Sequence, residues 1–180
     1  MDAVIVDGYN IIHAWAELKA ELLRGPLAEA RSRLISLLAE YAAVRPVRIT
    51  VVFDGPRASP VPDAAPETID GVRVLFSGRS GSADHLIERL AYAVTQRGDA
   101  VTVATSDRLQ RDMVRAMGGT TMDARTFEGE VRAAISETAG GAERLRDQAR
   151  TTRRVEDQLP ADVRRHLEAI RLGLPLPDEE

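Results

Sequence analysis

Three apolar runs in this sequence break off on an aspartate. Val4-Ile5-Val6 meets Asp7, Val51-Val52-Phe53 meets Asp54, and Val103-Ala104-Thr105-Ser106 meets Asp107. A fourth aspartate, Asp84, closes the stretch GRSGSAD at 78–84, and Glu88 stands one helical turn beyond it on the same face. Carboxylates gathered in one place repel, and each raises its neighbour's pKa unless a cation joins them. A hard divalent ion with oxygen ligands, Mg²⁺ or Mn²⁺, is the natural partner. Such an ion activates water and neutralises charge that builds on a phosphate in flight. Histidine is not required, and His13, His85 and His166 show no metal-ligand spacing. There is no cysteine, which excludes thiolate metal sites and disulfides.

Each of these residues also has an ordinary explanation. Aspartate after a strand is a common turn former and helix N-cap. Asp54 has the strongest turn explanation, because Gly55 and Pro56 follow it. Asp107 could simply cap a helix, and Ser106 could do the same. Glu88 could pair with Arg89 or Arg79 on a solvated face. Asn10 could hold the turn after the first strand, or orient a water or a ligand carboxylate. Thr105 and Ser106 could donate hydrogen bonds either to a phosphate or to the aspartates. Tyr9 suits packing or capping better than catalysis. The stretch at 78–84 looks like a phosphate-cradling loop but lacks the lysine of a Walker motif, so a nucleoside triphosphate site has little support. Its amides and Arg79 could still touch a phosphate backbone. Three aspartates at strand ends together with an Asp/Glu helical pair are harder to assign to turn chemistry than any one alone.

The elements that must position these groups follow from periodicity. Strands are expected at 2–6, 47–54, 71–78, 100–107 and, as a short edge, 120–122. Helices are expected at 26–42, where Leu27, Ala30, Leu34, Leu37, Leu38 and Tyr41 make one stripe behind Pro26, and at 82–98 between Ser82 and Gly98. Further helices are expected at 107–119 and around Phe127, Val131 and Ile135. Residues 55–70 hold four prolines and read as a loop. Strands alternating with helices predict an α/β fold, a parallel sheet of about five strands with helices on both faces. The strands are near-continuous apolar runs, which fits burial on both sides. In open sheets of this kind ligands bind at the carboxyl ends of the strands, where strand order reverses.

At 180 residues the chain suits one compact domain with a helical appendage, and an apolar fraction of 44% is enough for a core. No apolar run approaches the roughly 20 residues of a membrane span. The N-terminus lacks the basic and long apolar regions of a signal peptide. These features read as a soluble, cytoplasmic protein with no membrane partner. The net charge is −4, so nothing global demands nucleic acid. After Gly140-Gly141 the character changes: 142–172 is charged, helical in pattern and interrupted at Pro160. The expected division is therefore a domain at 1–139 and an extension at 140–180. Lys19 is the only lysine; every other basic residue is arginine, which fits either a GC-rich genome or phosphate contacts.

Taken together, VDGYNII, VVFDG, SADHLIERLA and VATSD resemble the YacP-like group of the NYN domain family of PIN-like ribonucleases, over roughly residues 1–135. The resemblance implies a Rossmann-like PIN/NYN fold and metal-dependent endoribonuclease activity. It places the acidic site on Asp7, Asp84 and Asp107, with Asn10, Glu88 and Asp54 beside it. The activity so implied is cleavage of single-stranded RNA, in mRNA decay or processing, with the ribosome as a candidate partner. Asp7, Asp84, Asp107 and Glu88 would hold one or two Mg²⁺ or Mn²⁺ ions. Water activated there would attack the phosphodiester in line and leave a 3′-hydroxyl and a 5′-phosphate. An acidic site must still approach a polyanion, so flanking cations are expected. Arg79 and the extension's Arg150, Arg153 and Arg154 are the candidates for RNA contact, although interspersed acids make a solvated face the stronger explanation for the extension.

Two rivals belong to other classes. A non-catalytic PIN-like module would bind RNA or a protein without an ion. A phosphohydrolase of the haloacid-dehalogenase type also starts from a strand-end aspartate. It needs a second acid two residues on, where Tyr9 stands, and a later catalytic lysine; Lys19, the sole lysine, lies in the wrong region for that role.

Overall fold

The computed structural model describes residues 2–55, 66–78 and 81–138, together with Val163. Arg79, Arg150, Arg153, Arg154 and the extension at 140–180 lie outside the described residues. The chain divides into two units after Ser136, and the fold belongs to the first, Met1–Ser136.

In chain order the elements are β1 (Asp2–Asp7), α1 (Gly8–Ala14), α2 (Ala16–Arg24), α3 (Leu27–Val44), β2 (Val47–Phe53), β3 (Glu67–Ile69), β4 (Val72–Phe76), α4 (Ala83–Thr95), β5 (Val101–Ala104), α5 (Arg108–Ala116) and β6 (Thr120–Met122). A last helix, α6, covers 124–138. The strands form one sheet in the order β3-β4-β2-β1-β5-β6. All pairings are parallel except that of β3 with β4. The α/β fold expected from the sequence is the fold observed. Among the described residues no helix is long and apolar enough to cross a membrane.

Strand order gives the sheet its functional point. From β1 the chain builds outward through β2 to β4, then returns to the other side of β1 for β5 and β6. The order reverses between β1 and β5, whose register pairs Val6 with Ala104. In open parallel sheets such a reversal is where ligands bind, at the carboxyl ends of the strands.

Alternation along the strands fills both faces. Val4, Val6, Ile49, Val51, Phe53, Val72 and Val74 pack with the apolar stripes of α1 to α3 and with Ala124, Phe127, Val131 and Ala134 of α6. Ala3, Ile5, Val52, Leu75, Val101 and Val103 turn the other way, against Ala83, Ile87 and Ala91 of α4 and Val114 of α5. Trp15, at the joint of α1 and α2, is 1% exposed and donates from Nε1 to the Ala124 carbonyl at 2.8 Å. That bond fixes the helix pair to the start of α6.

The structure departs from the sequence expectations in three places. Residues 8–24 form two helices, where periodicity had assigned nothing: α1 starts directly on the strand-end aspartate and holds only seven residues. β3 lies within the expected loop at 55–70; three residues at a sheet edge, Glu67 and Thr68 exposed and Ile69 half-buried, carry no alternation to read. β5 stops at Ala104, so Asp107 is three residues past the strand and is the N-cap of α5.

Candidate active site

Asp7 closes β1 and at once caps α1. Its Oδ1 accepts from the Asn10 backbone N–H at 3.3 Å. The turn is this tight because residue 8 is glycine. A Cβ there would lie 2.2 Å from the Phe53 ring, so only glycine lets β2 press on the start of α1. The other Asp7 oxygen, Oδ2, accepts from Thr105 Oγ1 at 3.2 Å. Thr105, fully buried, also accepts from the Asp107 N–H at 3.1 Å. One hydroxyl thus ties the carboxylate after β1 to the loop after β5. Asn10 ties them a second time, because its Oδ1 accepts from the Ser106 N–H at 2.9 Å.

Asp107 caps α5, accepting from the Gln110 N–H at 3.1 Å. The Gln110 side chain points the other way and donates from Nε2 to Asp84 Oδ1 at 2.9 Å. Asp84 sits in the first turn of α4. Asp54 braces the start of that helix: its Oδ1 accepts from the Ala83 N–H at 2.8 Å and from Ser77 Oγ at 3.1 Å. Ser77, buried, in turn accepts from the Gly55 N–H. Four carboxylates are therefore held by protein hydrogen bonds at the carboxyl ends of the strands, about the reversal between β1 and β5.

Capping does not account for all of them. Asp123 does nothing more than cap α6, accepting from Thr126 N–H and Oγ1, and these bonds hold its pKa below the ordinary carboxylate value. Asp7 also caps a helix, yet its pKa is pushed from 3.8 up to about 6. Burial is the largest cause. The Asp84 and Asp54 charges add to it, and the bonds from Asn10 and Thr105 oppose it. The Asp84 pKa is raised as well, first by burial and then by Asp107 and Asp54, with His85 opposing. The four charges feel one another, and among the described residues none forms a salt bridge.

Hydrogen bonds also separate roles that residue type left open. The Thr105 hydroxyl is spent on Asp7. The Ser106 hydroxyl accepts from the Ala124 N–H at 3.3 Å on an exposed residue, which leaves its proton free to donate outward. Asn10 holds the turn and clamps two loops. Glu88 is half-buried on α4, one turn after Asp84, and makes no hydrogen bond or ion pair among the described residues. Two participants were missed from sequence. Ser77 carried no signal, since it lay inside the strand expected at 71–78, which in the structure ends at Phe76. Gln110 did carry one: a polar residue at the buried position of α5, four before Val114.

The donor set suits a hard divalent cation, being all oxygen, anionic and unneutralised. It is not a closed cage. Among the described residues no group of three or more acidic or histidine side chains is close enough to hold one ion. Mg²⁺ is characteristically held by one or two carboxylates, with waters and substrate phosphates completing its octahedron, and this open arrangement fits that habit.

Comparison with known proteins gives one consistent result. The sequence model of the YacP-like NYN domain matches residues 4–172. The chain is 36% identical over 131 residues to the uncharacterized protein YacP of Bacillus subtilis, a stretch covering 73% of this chain and 75% of YacP. The crystal structure of Rae1 (YacP) from Bacillus subtilis superposes with a TM-score of 0.69 at 29% identity, covering 96% of each chain. A variant of that protein with one tryptophan replaced by leucine gives 0.68 at 29% identity, covering 94% of this chain and 99% of the other.

Proposed function

Since the chain belongs to the YacP-like NYN domain family, whose character is nuclease-type and RNA-related, we propose that it is a divalent-metal-dependent endoribonuclease acting on single-stranded RNA in the cytoplasm, on mRNA as it decays or is processed. The observation that carries this reading is the set of four carboxylates at the β1/β5 reversal, two with raised pKa values and none with a cationic partner among the described residues. In this reading Asp7, Asp84, Asp107 and, a helical turn on, Glu88 are the oxygen donors for Mg²⁺ or Mn²⁺; one or two of them at a time would hold an ion, with waters and substrate phosphates completing its shell. Asp54 supports them by bracing α4. A bound ion supplies the Lewis acidity that activates water and neutralises charge on the scissile phosphate. Thr105 and Asn10 keep the Asp7 carboxylate in one orientation. Ser106 donates its free proton to a phosphate oxygen. The products are a 3′-hydroxyl and a 5′-phosphate.

Substrate approach needs cations beside this negative pocket. Arg108 follows Asp107 directly, is exposed, and makes no ion pair among the described residues. In this reading it meets an RNA phosphate near the site, and Arg79, Arg150, Arg153 and Arg154 are further candidates for RNA contact. Ribosome association belongs to the same proposal, as one way of presenting mRNA.

The test is cleavage of an end-labelled single-stranded RNA with Mn²⁺ by the wild-type chain and by Asp7→Asn, Asp84→Asn and Asp107→Asn. Each variant is expected to lose at least 100-fold in rate while keeping the wild-type circular dichroism spectrum, since each removes charge from groups that must stabilise the transition state. Undiminished cutting by Asp7→Asn would remove the metal site. A second reading, a module that binds RNA or protein without chemistry, draws support from the open arrangement in which no three acids reach one ion. It predicts RNA binding unchanged by chelator and no cleavage under any ion.

A further inference from the structure

Gln110 occupies a position that packing alone would give to an aliphatic side chain. It and Val114, one turn apart, are the buried residues of α5, and Gln110 is only 3% exposed. Its amide is used at one end. Nε2 donates to Asp84 Oδ1 at 2.9 Å, while Oε1 is buried and accepts no hydrogen bond among the described residues. A buried carbonyl without a donor loses its bond to water and gains nothing in return. Turning the amide over would not help, because Oε1 would then face a carboxylate oxygen, acceptor against acceptor. The Asp84 carboxylate therefore dictates the orientation, and the orphaned oxygen is its consequence. A methionine of similar volume would fill the space with no such cost.

We infer that Gln110 is a positioning residue, which sets the Asp84 carboxylate relative to Asp107 at the expense of fold stability. The side chain of Asp84 has no other hydrogen-bond partner among the described residues. Asp7, by contrast, is fixed by two donors. The backbone N–H of Gln110 bonds Asp107 and its side chain bonds Asp84, so one residue spans two of the acids. Local rules of core packing are typically broken where function requires it. The inference rests on the ion-binding reading of the site.

The experiment compares thermal unfolding of the wild-type chain and Gln110→Met, first with chelator and then across a Mn²⁺ titration. With chelator, Gln110→Met is expected to raise Tm by about 2–4 °C, the shift that removal of one unsatisfied buried group makes in a chain of this size. In the titration, the Mn²⁺ concentration giving half the maximal Tm rise is expected to increase at least about tenfold, the usual cost of losing a partner that orients a ligand. A structural amide would behave differently: its loss would lower Tm in chelator and leave the Mn²⁺ midpoint in place, and either result overturns the inference. A wild-type response that Gln110→Met reproduces at the same Mn²⁺ concentrations also overturns it, and leaves the metal reading standing. A wild-type chain with no Mn²⁺ response overturns both.

Discussion

At the scale of single residues, the account turns on a contrast between two aspartates that both cap helices. Asp123 caps α6 and is acidified by it; Asp7 caps α1 and is made a weaker acid, because burial and like charge outweigh the bonds it accepts. The sign of the resulting pH dependence follows from the proton balance. With its folded pKa near 6 against 3.8 unfolded, Asp7 binds more protons in the native state between those values. The stability it contributes is present below about pH 4 and is lost as pH rises through about 6. At pH 7 the ionised carboxylate costs on the order of 2 kcal/mol, taken at a discount for its partial exposure. Asp7→Asn keeps the cap, since asparagine caps as well as aspartate. In urea unfolding without divalent ion, this variant is expected to be more stable than wild type at pH 7 and equal to it near pH 4. A variant less stable at pH 7 would show that burial does not strain this carboxylate. Ser106 makes a second claim at this scale. Ser106→Ala is expected to lower kcat about tenfold with a small fall in Tm, because the Ala124 N–H loses its acceptor, whereas Thr105→Val, which breaks the bonds to Asp7 and Asp107, is expected to lower kcat and to lower Tm further.

At the scale of elements, the strands and the larger helices could be read directly, and the reason is burial. β1, β2, β4 and β5 are apolar runs between turns, and α3 and α4 carry stripes that the sheet must cover. α1 and α2 could not be read that way. Their formation depends on Asp7 capping the first turn and on Trp15 reaching the Ala124 carbonyl 109 residues away, and neither contact leaves a periodic trace. The site was legible as a set of residue types at strand ends. The network among them was not, since Thr105 to Asp7 and Gln110 to Asp84 join residues 98 and 26 positions apart. The glycine after Asp7 is the element-scale hinge of the design. Gly8→Ala would drive a methyl into the Phe53 ring, with contacts of 2.2 and 2.4 Å to relieve. The expected cost is about 1–3 kcal/mol, read as a lower urea midpoint at unchanged m-value. An unchanged midpoint would mean that β2 does not press on the start of α1 as described.

At the scale of the whole molecule, a chain of net charge −4 with an acidic pocket has to bring in a polyanion. In the proposed function attraction is then local, and the exposed Arg108 beside Asp107 is the residue proposed to supply it. Arg108→Glu is expected to weaken single-stranded RNA binding uniformly across sequences and to flatten the dependence of log K on log salt by about one unit, measured by fluorescence anisotropy with Ca²⁺ in place of Mn²⁺. An unaltered salt slope would move the RNA path away from α5. Underlying all of this is the proposition that acids brought to the β1/β5 reversal share a divalent cation. Anomalous diffraction from crystals soaked in Mn²⁺ addresses it most directly. The account predicts a peak within about 2.2 Å of a carboxylate oxygen of Asp7 and of at least one of Asp84 and Asp107, lost in Asp7→Asn. A soaked crystal with no peak among these side chains, under conditions in which the protein cleaves RNA, would contradict it.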